Sequence, residues 1–143
     1  MLQKMKIDII TICDYAKIEN GRLSIVDSRD FLEVPKFPWR VYIGIAVKGT
    51  LMHDMPADSY YILSIFKKDD IKAANDGTLS ENKIVFMTKS PAIEDKGKFA
   101  IAGNIRGLIF NNPGDYIFRI QSSDGMNCDY EFSVVQSKGN END

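Results

Sequence analysis

The sequence predicts an all-β protein, an antiparallel β-sandwich of about eight strands. Two observations carry that expectation. The closing third alternates strictly: after the turn Asn112-Pro113-Gly114, Tyr116, Phe118 and Ile120 share one face, and after Ser123-Asp124-Gly125, Cys128, Tyr130, Phe132 and Val134 share another. Such a hairpin, with one apolar and one polar side, is the unit of antiparallel sandwiches, and it sets Arg119 toward water. The second observation is negative. No segment of about ten residues or more sustains a 3.6-residue apolar period, so no long helix is expected.

The elements follow in order. Ile7 to Ala16 reads as a strand with Ile7, Ile9, Cys13 and Tyr15 on one face and Ile10 and Ile12 on the other, so part of it is covered on both sides. Asn20-Gly21 lies between two extended runs and predicts a tight hairpin, because both residues tolerate positive φ. Leu23, Ile25 and Val26 continue a return strand reaching Phe31. Pro35-Lys36-Phe37-Pro38 breaks the chain, since two prolines do not fit a central strand. In Trp39 to Val47, Val41, Ile43, Ile45 and Val47 face one way and Tyr42, Gly44 and Ala46 the other. A loop with Pro56 is expected from Gly49 to Asp58.

Tyr60 to Phe66 is apolar on both faces, as in a central strand. Asp69 to Ala74 suits one or two helical turns, ended by Asn75-Asp76-Gly77 and too short to stand alone. Ile84 to Thr88 is a short strand, broken by Ser90-Pro91, and Glu94-Asp95-Lys96-Gly97 is a polar turn. Phe99, Ile101, Ile105 and Ile109 line one face of a long strand that also carries Gly103 and Gly107. Strand glycines mark bulges or the close approach of another backbone.

Length fits one domain, the sandwich spanning 1–136, followed by a flexible polar tail at 137–143. Apolar residues make up 44% and charged residues 27%, which excludes disorder of the whole chain. The formal charge is −2, and Lys67-Lys68 is cancelled by Asp69-Asp70. Nucleic acid is therefore not an expected partner, because phosphate tracking needs a concentrated positive face. No run approaches the ~18 apolar residues of a membrane helix. Ile7 to Ile12 is too short, and too interrupted by Asp8, for a signal sequence. With two cysteines, Cys13 and Cys128, the expectation is a cytoplasmic protein with unlinked thiols.

Several of these residues together resemble a family. The opening Cys13-Asp14-Tyr15-Ala16 with Asn20-Gly21-Arg22-Leu23-Ser24-Ile25, the Phe37-Pro38 break, and the closing Pro113-Gly114-Asp115-Tyr116-Ile117-Phe118-Arg119-Ile120 with Asp124-Gly125 are similar to a family of uncharacterised bacterial proteins, a domain of unknown function. The resemblance covers both ends and leaves 49–96 unmatched. It implies a bacterial source and an immunoglobulin-like sandwich, and it carries over no catalytic residue. The closing hairpin also resembles the last two strands of immunoglobulin-type sandwiches, in which a Tyr after a turn bonds back to the chain. The Cys usual two residues beyond that Tyr is Phe118 here.

Residues for chemistry are few. His53 is the only histidine and lies in a loop between Met52 and Met55, while neither Cys has a second Cys at metal-ligand spacing. No catalytic residue, metal site or cofactor is expected. Asp124-Gly125 and Glu131 mimic the end of an EF-hand loop, but Ile120 stands where the first ligand belongs. Asp69, Asp70 and Asp76 read as a solvated loop, with calcium between loops as the alternative. Trp39 and Tyr42 suit stacking on a sugar or base, or packing at the end of the sandwich.

The expected function is non-enzymatic, through contacts with a protein partner or a second copy. The candidate contact residues are Met52, His53, Met55 and Tyr60, because flexible thioethers adapt to varied surfaces. The alternatives are a carbohydrate-type binding module using Trp39, Tyr42 and Tyr60, and a metal-dependent enzyme built on loop carboxylates.

Overall fold

The computed structural model describes residues 5–51, 60–77, 83–89, 98–122 and 127–138. Its strands are β1 (Met5–Glu19), β2 (Arg22–Arg29), β3 (Phe31–Val34), β4 (Trp39–Leu51), β5 (Tyr60–Lys67), β6 (Lys83–Lys89), β7 (Lys98–Phe110), β8 (Gly114–Ser122) and β9 (Asn127–Gln136). One sheet has the order β2-β1-β4-β7 and the other β3-β9-β8-β5-β6. Their inner faces meet in one core. Ile12, Ile43, Ile45, Val47, Phe99, Ile101, Leu108 and Phe110 come from the first sheet, and Leu32, Val34, Tyr61, Leu63, Ile65, Tyr116, Phe118, Ile120, Phe132 and Val134 from the second. The protein is an all-β sandwich.

Local chemistry sets most of these elements as the sequence predicts. Asn20 and Gly21 both take positive φ, 52° and 73°, and close the β1–β2 hairpin at Glu19 opposite Arg22. Residues 35–38 form a bend with a cis Phe37-Pro38 peptide. After β5 a single 3₁₀ turn leads into helix α1 (Ile71–Asp76). Gly77 caps it at φ 71°, its N–H bonding back to the carbonyls of Ala73 and Ala74. The β8–β9 hairpin seats Tyr116, Phe118 and Ile120 opposite Phe132, Tyr130 and Cys128. Tyr116 packs edge-on to Phe110 at 4.9 Å and donates its hydroxyl to the Asn112 carbonyl at 2.7 Å. The loops expected at Gly49 to Asp58, Ser90 to Gly97 and Ser123-Asp124-Gly125 lie largely or wholly outside the described residues, and β4 itself runs on to Leu51.

Two irregularities shift the phase of side chains. The β1–β4 register slips between Ile7 and Ile9. Ile7 and Ile10 therefore both pack toward the core beside Ile12, while Ile9 is exposed, correcting the expected grouping of Ile7 with Ile9. On β7, Gly107 has φ 84° at the slip between Val41 and Tyr42. It is the extra residue of a bulge, a conformation that costs an L-residue with a side chain about 1–2 kcal/mol. Beyond it Leu108 and Phe110 face the core and Ile109 turns outward, so the predicted alignment of Ile109 with Phe99 holds only up to the bulge.

Three further expectations are corrected. The return strand does not run unbroken to Phe31. It bends at Asp30 and changes sheet, and β3 pairs with β9 in parallel, so the five-stranded sheet is mixed. Tyr130 fixes this crossing by donating its hydroxyl to the Arg29 carbonyl at 2.7 Å, and Ser133 N–H bonds Asp30 O at 3.0 Å. The second correction concerns Arg119, which is not in water. It is 5% exposed, it grips Asp129 through Nε (2.7 Å) and Nη2 (2.9 Å), and its guanidinium lies 5.1 Å over the Phe66 ring. Ile117, Phe66 and Ser64 beside it are buried too, so the outer face of this sheet is covered at its centre. The last concerns β1. Past Cys13 it leaves the side of β4, and Cys13, Ala16 and Ala46 form a second small cluster with Leu23, Ile25 and Ala102. The β1–β2 hairpin lies over the outer face of β4 and β7.

Candidate functional site

Where β1 leaves β4, a gap opens. The ladder between them ends at Cys13 opposite Gly44, but β4 continues to Trp39, paired there, among the described residues, only with β7. Gly44 permits the departure. A Cβ on it would lie 2.9 Å from Cys13 Sγ and 3.0 Å from both Ala16 N and Asn104 Oδ1. The Asn104 side chain crosses this spot and binds both backbone groups of Ala16: Oδ1 accepts from the N–H at 3.0 Å, and Nδ2 donates to the carbonyl at 2.8 Å.

The gap is a groove of about 480 Å³, lined by Asp14, Arg29, Phe31–Glu33 and Trp39–Ile43. Consecutive strand residues point to opposite faces. A groove touched by three in a row on β3 and five in a row on β4 therefore meets both strands at their edges. Its floor is the margin of the core, with Leu32 and Ile43 buried and Val41 half-buried. Its walls carry exposed aromatics: Phe31 at 46%, Trp39 at 37% and Tyr42 at 68%. Lys36 Nζ stands 5.9 Å over the Trp39 ring.

Charge in the groove is balanced and partly locked. Arg29 donates two hydrogen bonds to Asp14, Nη2 to Oδ2 at 3.0 Å and Nε to Oδ1. The hydrogen bond from Arg29 holds the Asp14 carboxyl below the usual carboxylate range, and the same bond raises the Arg29 guanidinium. Arg40 and Glu33 stand on opposite walls, and neither forms an ion pair with another described residue. The groove thus offers aromatic faces, two cations, two carboxylates and two strand edges.

Trp39 and Tyr42 are the sequence candidates that the structure brings together here. Tyr60 opens β5, which is separated from β3 by β9 and β8 in the other sheet, and its side chain lies outside the described residues, as do Met52, His53 and Met55. Asp14, Arg29, Phe31, Glu33 and Arg40 were not legible as site residues. The one signal for them was the polar run Asp27-Ser28-Arg29-Asp30 between Val26 and Phe31, which marks the change of sheet. Asp69 and Asp70 sit on the 3₁₀ turn and Asp76 ends α1, while Glu131 takes Lys68 as its partner at 2.8 Å. Among the described residues no group of three or more His, Cys, Asp or Glu is arranged to hold a metal ion, and no helix is long and apolar enough to cross a membrane. Both cysteines are free. Cys13 lies in the small outer cluster and Cys128 packs against the main core, and burial raises the pKa of each thiol.

Fold and groove together define a two-sheet β-sandwich with an aromatic-walled cleft between the edges of its sheets. The chain belongs to a family of unknown function, DUF6941, whose model matches residues 8–135. The match runs through the middle of the chain as well as both ends. No curated protein matches the sequence.

Proposed function

We propose that this chain is a non-enzymatic binding module that works through protein contacts, with the groove at Trp39–Ile43 as its contact surface. One observation carries the reading: three exposed aromatic residues, Phe31, Trp39 and Tyr42, border one open cleft. Tyr and Trp supply large, stiff contact area and dominate binding energy in interfaces. Three groups that could take part in chemistry, Asp14, Cys13 and Cys128, are tied down. Asp14 is held charged by Arg29, and both thiols are pushed toward their protonated, unreactive form. We read the source as bacterial and cytoplasmic and the sandwich as immunoglobulin-like, the Tyr116–Asn112 bond supporting the last.

A second reading, a carbohydrate-type module, is favoured by the placing of Trp39 and Tyr42 on the same cleft. Affinity capture from native lysate separates the two. The wild-type chain is expected to retain a defined protein that a Trp39→Ala/Tyr42→Ala variant of equal melting temperature loses. Retention of glycans instead, or capture unchanged by the variant, rejects the protein-contact reading.

A further inference from the structure

We infer that the groove takes an extended peptide strand, which adds to the free edge of β4 at Trp39–Ile43 along the track that β1 fills higher up. The inference rests on the protein-contact reading above and specifies its mode. The chain itself shows what fits this track. From Gly44 to Leu51 the same edge of β4 is occupied by β1, running antiparallel from Met5 to Cys13. Five residues of β4 remain beyond that ladder. An unpaired strand edge presents alternate N–H and C=O groups, which a second extended chain satisfies with its own. At about 3.3 Å per residue the free stretch spans roughly 16 Å. The volume of the groove falls within the range of roughly 300–1,000 Å³ for ligand sites.

The vacancy is built in. Asn104 ties Ala16 over the outer face, and the Arg29–Asp14 pair braces β2 against β1, so the hairpin stays on that face and does not swing back to the edge of β4. The side chains specify the guest. Val41 and Ile43 turn toward the core beside Leu32, so guest residues pointing inward are apolar. Arg40 and Tyr42 turn outward, so the residue between those is polar; Arg40 has no acidic partner among the described residues, and its side chain, resting over Gly107 of β7, turns back across β4 to meet a carboxylate there. A cation on the β3 side meets Glu33. The guest is therefore a segment of a partner protein with alternating apolar and polar residues and an acidic residue beside Arg40.

The test uses a displayed library of random linear dodecapeptides panned on the full chain. Enriched peptides are synthesised and titrated by calorimetry, with amide exchange followed by NMR. Enriched sequences are expected to alternate and to carry an acid. Binding is expected to protect amides within 39–43. N-methylation of the peptide at alternate positions should weaken affinity about tenfold or more, since each removes a backbone hydrogen bond, and at intervening positions should leave it near unchanged. Arg40→Glu should weaken the acidic peptide and restore binding to the peptide with Lys in place of its acid. Failure to enrich any peptide, affinity indifferent to N-methylation, or oligosaccharides shifting the same amides overturns strand addition. If the Trp39→Ala/Tyr42→Ala variant still loses a captured protein while N-methylation has no effect, the contact reading stands and the strand mode falls.

Discussion

Asn104 on β7 supplies both hydrogen bonds that the backbone of Ala16 on β1 needs, reaching across β4 to do so. The side-chain amide acts as a one-residue piece of strand. It satisfies a donor and an acceptor at the point where β1 abandons its neighbour.

Replacing Asn104 by Leu leaves both groups without that partner, and each hydrogen bond is worth about 0.5–1.5 kcal/mol. The expected loss is about 1–3 kcal/mol in urea unfolding. Gly44→Ala should cost a similar amount, because its Cβ meets Cys13 Sγ and the Ala16 backbone. A neutral result for both substitutions would mean that the hairpin rests on the sheet without this tie.

Arg119→Ala should destabilise by about 2–4 kcal/mol, a little under the roughly 3–5 kcal/mol for a fully buried pair because Asp129 keeps some solvent. Phe118→Ala, which empties a large space in the core, should cost about 3–5 kcal/mol. Arg119→Lys should fall between wild type and Ala, since an ammonium cannot reproduce the two-pronged contact. An Arg119→Ala cost below about half a kcal/mol, the figure for an exposed residue, contradicts its burial.

The Asp14–Arg29 pair gives a signed pH dependence. Folded Asp14 holds its proton less tightly than the unfolded chain, whose ordinary value is 3.8. The unfolded state then binds more protons, so the contribution of the pair is present above that value and is lost as pH falls through the lowered folded value. The melting difference between wild type and Asp14→Asn should be small, since the pair is exposed, and should shrink further on acidification. A difference that grows toward acid contradicts the pairing.

Cys13 and Cys128 should alkylate slowly in the native protein and quickly in denaturant, because burial keeps both protonated. Mass spectrometry after unfolding without reductant should find two modified thiols. None would indicate a disulfide, which the placing of one thiol on the outer face of the first sheet and the other against the main core opposes.

What was legible in the sequence was the part governed by neighbours along the chain. Alternation located the closing hairpin, Asn20-Gly21 the turn of the opening one, and Asn75-Asp76-Gly77 the end of the short helix. Phase was lost where one extra residue enters a strand, at Ile7–Ile9 and at Gly107, because a single-residue slip exchanges the two faces. Arg119 was misplaced because a charge in an alternating strand reads as wet; only its cross-strand partner, Asp129, explains its burial. The groove had the weakest signal of all. Trp39 and Tyr42 stood out by type, but the cleft exists because β1 departs from β4, a relation between distant segments that no local pattern records.

The parallel pairing of β3 with β9 has a consequence in time. Tyr130 and Arg29, which clasp the crossing, are 101 residues apart. A ribosome delivers β3 long before it delivers the strand that completes it. Through that interval the short strand has no partner on either side, and closing so long a loop costs chain entropy before any contact compensates. Assembly of the second sheet therefore finishes late, and the nascent chain carries an open edge beside the aromatic cleft until β9 arrives.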